Sequence, residues 1–151
     1  MASLQESAVN LLARREHSVH ELRQKLMPKA ESPEELEALL LKLTEGGLQS
    51  DARFVEAFVS SRISSGFGSR RIASELSQRR VDDELIAEHL SADDDHWSQV
   101  LSRLSEKKYH GKAIADNKDY MRRCRFFMQR GFEMSLIRRL LAHNNEYDYN
   151  N

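Results

Sequence analysis

The stretch LLARREHSVHELRQKL, Leu11–Leu26, decides how this chain folds. Ala8, Leu11, Leu12 and Arg15 set a narrow stripe at the three- and four-residue spacing of a helix. The stripe stalls at Glu16-His17-Ser18 and restarts with the apolar pair Leu22 and Leu26. Ser18 is a residue type that caps a helix start, and Pro28 follows the end of the second segment. Two short helices meeting at a polar corner are therefore expected.

Weaker versions of the corner recur downstream. Arg15 lies seven residues before Leu22, and Arg130 lies seven before Ile137, with Leu141 four residues later. Arg62, Ile72 and Leu76 repeat the figure with a loop three residues longer. Each repeat reads as a helix ending in arginine, a sharp turn and a short helix with an apolar i, i+4 pair. In the first two repeats a third helix follows; in the last, that third helix is expected to be absent or lost from view. So small a unit leaves an apolar face open, and stacking units covers it. The expected architecture is all-α: an elongated, curved array of tandem three-helix modules.

The remaining helices carry clear stop and start signals. In ESPEELEALLLKLTEGG, Ser32 is the expected N-cap, Pro33 takes the first helical position and Glu35 completes a capping box. Leu36, Leu39, Leu40 and Leu43 form its apolar face, and Gly46-Gly47 closes it. Asp51 is the expected cap of the next helix, with Phe54, Val55, Phe58 and Val59 in register. Asp82-Asp83 favours the N-terminal dipole of a helix carrying Leu85, Ile86 and Leu90. A helix through Trp97, Val100, Leu101 and Leu104 follows, then a loop at HGKAIADN. A basic helix from about Asp119 to Arg130 and a last one from about Met134 to His143 complete the pattern. The expected division is 1–49, 50–92 and 93–143, with 144–151 a disordered polar tail.

Six glycines, two prolines and 31% charged residues suit a helical protein with a large wetted surface. No apolar run reaches the about 18–20 residues that cross a bilayer, and MASLQESAVN has neither the basic start nor the hydrophobic stretch of a signal peptide. With a single cysteine, Cys124, there is no internal disulfide, and a cytoplasmic location is expected. The net charge of −1 hides a strong asymmetry. Residues 1–56 hold ten acidic against seven basic side chains, whereas residues 97–143 hold eleven basic against four acidic. Such a dipolar chain points to a charged partner rather than a small substrate.

Three blocks, LLARREHSVHEL, GGLQSDARFVEAFVSSRISSGFGSRRIASEL and RFFMQRGFEMSLIRRLL, resemble the signature segments of the RecX family, regulators of the bacterial recombinase RecA. The resemblance runs from about Ala8 to His143. It implies tandem three-helix modules without enzymatic activity or cofactor. It further implies binding along the groove of the RecA–single-stranded DNA filament, limiting filament extension and inhibiting ATP hydrolysis, strand exchange and coprotease activity. RecA filament is thus the expected partner and a monomer the expected state. The runner-up is a free-standing helix-turn-helix-like DNA-binding protein using the helix around Arg70–Arg80, so direct binding of single- or double-stranded DNA stays open.

The candidate contact residues are basic. Arg14 and Arg15 flank the first corner. Arg70 and Arg71 sit in the first turn of a helix, where the dipole disfavours positive charge, a hint of an outside anion. Lys107 and Lys108 end the Trp97 helix. Arg122, Arg123 and Arg125, with Arg130, Arg138 and Arg139, make the richest cluster. Basic residues interleaved with Phe126 and Phe127 suit single-stranded nucleic acid, although one of those rings is expected in the core along with Cys124. His17 and His20 lack a third ligand, so no metal is expected. The chain has no phosphate loop with lysine, no HExxH and no Gly-x-Ser-x-Gly, which leaves enzymatic readings without support.

Overall fold

The structure, a computed structural model, describes residues 2–145. Among them nine α-helices and one 3-10 turn carry the regular structure: α1 (Leu4–Arg14), α2 (Val19–Leu26), the 3-10 turn Met27–Lys29, α3 (Pro33–Glu45), α4 (Asp51–Ser64), α5 (Ser69–Gln78), α6 (Asp83–His89), α7 (Asp94–Tyr109), α8 (Asn117–Gln129) and α9 (Met134–Asn145). The fold is all-α, built of tandem helical modules. The tail expected from residue 144 falls, from residue 146 onward, outside the described residues; residues 144 and 145 still belong to α9.

The described residues form two compact units. One takes residues up to Phe58 together with Leu76–His89; the other takes Val59–Glu75 together with residues from Leu90 on.

In the first unit, α1, α2 and α3 close over Ala8, Leu22, Leu26, Leu36, Leu39, Leu40 and Leu43. Truncating one such leucine to alanine typically costs about 2–5 kcal/mol. Ser18 caps α2 as its sequence predicts, accepting from the Glu21 amide at 3.0 Å while Glu21 accepts from the Ser18 amide at 3.2 Å. Ser32 caps α3, but the box is not completed as expected: Glu35 reaches past Ser32 to the Glu31 amide at 2.8 Å. The Gly46-Gly47 close holds, with Gly47 at φ +80°.

A second difference concerns Asp51. The cap of α4 is Ser50, whose hydroxyl accepts from the Arg53 amide at 3.2 Å. Asp51 instead accepts from the Val19 amide and from Gln49 Nε2, both at 2.9 Å, tying the start of α2 to the start of α4. Gln49, almost wholly buried, also donates to the His17 carbonyl. A side chain with two helix starts in reach serves the pair that lacks another partner.

The second unit is centred on Phe127, Leu101, Ile72, Ile137 and Leu141, all fully buried. Trp97 is buried too, and its indole N–H donates to the Ser91 carbonyl at 2.8 Å. Cys124 is buried beside this core. Two turns meet inside the unit. The Gly68 amide donates to the Arg130 carbonyl at 2.7 Å, and the Arg70 amide donates to the Gly131 carbonyl at 3.0 Å. A Cβ on Gly68 would lie 2.5 Å from the Gly131 carbonyl oxygen, so only glycine lets the backbones touch.

Candidate functional site

The corner arginines anchor their turns through carboxylates, with one exception. Arg15 donates to Glu21 on the following helix at 2.9 Å and to the Glu16 carbonyl at 2.9 Å. Arg62 donates through Nε to Glu75 at 2.8 Å, and Arg71 reaches the same carboxylate at 3.0 Å. Burial alone would raise the Glu75 carboxyl, but hydrogen bonds from Arg62 and Arg71 outweigh it and hold it below the ordinary range. Arg130 has no carboxylate partner among the described residues; it donates to the Ser65 carbonyl at 3.0 Å.

These arginines surround aromatic rings. The guanidinium carbons of Arg62, Arg71 and Arg130 lie 4.5, 4.6 and 4.9 Å from the Phe67 centroid. Arg130 also lies 5.1 Å from Phe126, which Lys108 approaches to 4.4 Å. Tyr109, Phe126 and Phe127 pack edge to face beneath. Cation–π attraction thus fixes cations that would otherwise swing freely in water.

Arg123 departs from expectation. It is only 3% exposed, so it is removed from the candidate surface. Its guanidinium donates to the Lys112 and Ala113 carbonyls at 3.1 and 3.2 Å, pairs with Asp119 at 3.2 Å and covers the Tyr109 ring at 4.2 Å. The Ala115 amide first, and Arg123 after it, hold the Asp119 carboxyl below its usual range. Arg123 therefore laces the loop 110–116 to α8. Residue 123 falls on the buried stripe with Cys124 and Phe127, and Met121 and Met128 take the exposed face instead.

Arg122 and Arg125 project to solvent from α8, and Lys107 and Lys108 do so from α7. Arg138 and Arg139 are exposed on α9. Arg70 is 66% exposed and only loosely paired with Glu133 at 3.9 Å. The second unit thus carries Arg70, Lys107, Lys108, Arg122, Arg125, Arg138 and Arg139 on its surface, with Arg71 and Arg130 held at its joined turns. Arg14 and Arg15, both exposed, belong to the first unit. Arg71 on α5 and Arg79 just past its end are engaged with Glu75 and with the Phe58 ring respectively, which weakens the reading of α5 as a free basic recognition helix.

His17 is 2% exposed and has both ring nitrogens occupied. Nδ1–H donates to the Arg15 carbonyl at 3.0 Å, and Nε2 accepts from the Lys25 ammonium at 3.2 Å. A carbonyl only accepts and an ammonium only donates, which sets this neutral tautomer. Burial above all pulls the imidazole below its ordinary range. No helix of the described residues is long and apolar enough to cross a membrane.

Comparison with known proteins assigns the modules. The first, second and third three-helix domains of RecX match residues 6–43, 50–90 and 95–141. The chain belongs to the RecX family. It is 39% identical over 142 residues to the regulatory protein RecX of Pseudomonas fluorescens strain Pf-5, covering 94% of this chain and 92% of that one. It is 40% identical over 142 residues to RecX of Pseudomonas tolaasii, with the same coverage of 94% and 92%. The crystal structure of RecX from Lactobacillus salivarius superposes with a TM-score of 0.76 at 17% identity, covering 94% of each chain, and shares the fold.

The third RecX domain takes in α7, α8 and α9, so the third module does not lack a helix as expected. Its arginine corner lies between its second and third helices, out of phase with the other two. Sequence reading also missed Phe67 and Arg62 as parts of the cluster. The visible signal was the aromatic between two glycines in Gly66-Phe67-Gly68, five residues after an arginine.

Proposed function

We propose that this chain binds the RecA–single-stranded DNA filament along its groove and inhibits RecA. Filament extension, ATP hydrolysis, strand exchange and coprotease activity all fall, modulating repair and recombination in the cytoplasm. The observation that carries this reading is the exposed cation set of the second unit, in which Arg122, Arg125, Lys107, Lys108, Arg138 and Arg139 have no carboxylate partner among the described residues. Unneutralised cations on rigid helices attract a polyanionic track from a distance and dock without reorganising. The chain acts as a monomer by binding, and needs no cofactor or bond-making step.

The test is RecA-catalysed ATP hydrolysis on single-stranded DNA, titrated with this protein. Substoichiometric inhibition that weakens with added salt is expected, because screening acts over about 8–10 Å at physiological ionic strength. Hydrolysis unchanged at stoichiometric protein refutes the reading. Stronger binding to bare duplex than to RecA-coated strands would favour the free-standing DNA-binding alternative.

A further inference from the structure

The end of α4 and one face of α7 enclose a notch of about 160 Å³ within the second unit. One wall carries Ser64 and Ser65, and the other carries Arg103 and Lys107, one helical turn apart. Val100 and Leu104 contribute its apolar floor. No carboxylate lines it.

The polar groups of this notch are uncommitted. Arg103 makes only a long contact from Nε to the Gln99 carbonyl of its own helix, at 3.4 Å. Lys107 and the two serine hydroxyls have no hydrogen bond or ion pair among the described residues. The helix dipole explains one cation at the end of α4, and Arg130 already fills that role by donating to the Ser65 carbonyl. Arg103 and Lys107 are left facing the notch without a structural task.

We infer that this notch binds a backbone phosphate of single-stranded DNA. A tetrahedral oxyanion offers acceptor oxygens to both walls at once, hydroxyls on one side and cations on the other, whereas a flat carboxylate serves one wall. The notch, at about 160 Å³, leaves room for one phosphate group between its two walls. The Val100 and Leu104 floor suits the carbon face of the adjoining sugar. The choice of single-stranded DNA as the polymer rests on the filament reading above; the notch chemistry does not.

Fluorescence anisotropy of a labelled oligo-dT strand with the full chain tests it, beside the RecA hydrolysis assay. R103Q/K107Q is expected to weaken strand binding about tenfold and to lower the salt slope by about 0.7, the loss of one phosphate contact on a single strand. S64A/S65A is expected to weaken binding about threefold at an unchanged slope. The control K29Q/K42Q, equal in charge loss and on the other unit, stays within about twofold. Oligo-dT binding by R103Q/K107Q within about twofold of wild type overturns the site, even if RecA is still inhibited. So does displacement of the strand by a polyglutamate peptide as readily as by polyphosphate. Loss of strand binding in R103Q/K107Q, with a wild type that leaves RecA untouched, keeps the notch and discards the filament reading.

Discussion

The Gly68 amide donates to the Arg130 carbonyl at 2.7 Å, so the α4–α5 turn and the α8–α9 turn are joined backbone to backbone. Two segments some sixty residues apart in sequence thereby become one rigid feature. Arg71 and Arg130 meet over Phe67 because of it. The joint has consequences that separate it from an ordinary loop.

Gly131 has φ +93°, and a Cβ there would sit 2.3 Å from the Arg71 Cβ. Gly131→Ala should therefore destabilise by about 3 kcal/mol or more, from clash and strained backbone together. Gly47 has φ +80° with nothing within 4 Å, so Gly47→Ala should cost about 1 kcal/mol from strain alone. Urea unfolding of the two variants measures the gap, and equal costs would mean that the turns do not touch.

Arg123→Met and Arg122→Glu should split stability from binding. The first removes donors to the Lys112 and Ala113 carbonyls and the partner of Asp119, a loss of about 2–4 kcal/mol seen in thermal or urea unfolding. Arg122→Glu with Arg125→Glu changes exposed side chains, leaving stability within about 0.5 kcal/mol while RecA inhibition falls. A folded, fully inhibitory double variant would remove α8 from the contact surface.

Acid should destabilise the protein in two steps. The His17 imidazole is held low, so the unfolded chain takes a proton first, and stability begins to erode as pH falls through about 6.5. The Glu75 carboxyl is also held low, so its contribution is complete above about 4.5 and is lost as pH falls through its native value. Urea midpoints of wild type and His17→Gln between pH 7.5 and 5 test the first step. The variant should be less stable throughout and lose the upper slope; an unchanged slope would assign it to another group.

Asp51→Ala strands the Val19 amide and one of the two Gln49 Nε2 hydrogens, the other still donating to the His17 carbonyl. It should cost about 2 kcal/mol, whereas Ser50→Ala, the helix cap, should cost about 1. Hydrogen exchange at the Val19 amide reads the difference directly: faster exchange in Asp51→Ala only is the expected pattern.

Sequence by itself determined the helices, their caps at Ser18 and Ser32, the apolar faces of α2 and α3, the burial of Cys124 and that one of Phe126 and Phe127 is internal; the structure makes it Phe127. These follow from periodicity and capping, forces that act within one or two turns of the chain. It also exposed the RecX blocks and the cationic excess of residues 97–143. Tertiary structure alone decided that Arg123 is internal while its neighbours Arg122 and Arg125 face solvent. It decided as well that Asp51 serves α2, that Phe67 gathers three arginines, and that Arg103 and Lys107 share a notch with two serines. Charge on a side chain is written in the sequence, but its neutralisation depends on which distant carbonyls and carboxylates the packing brings within about 3 Å.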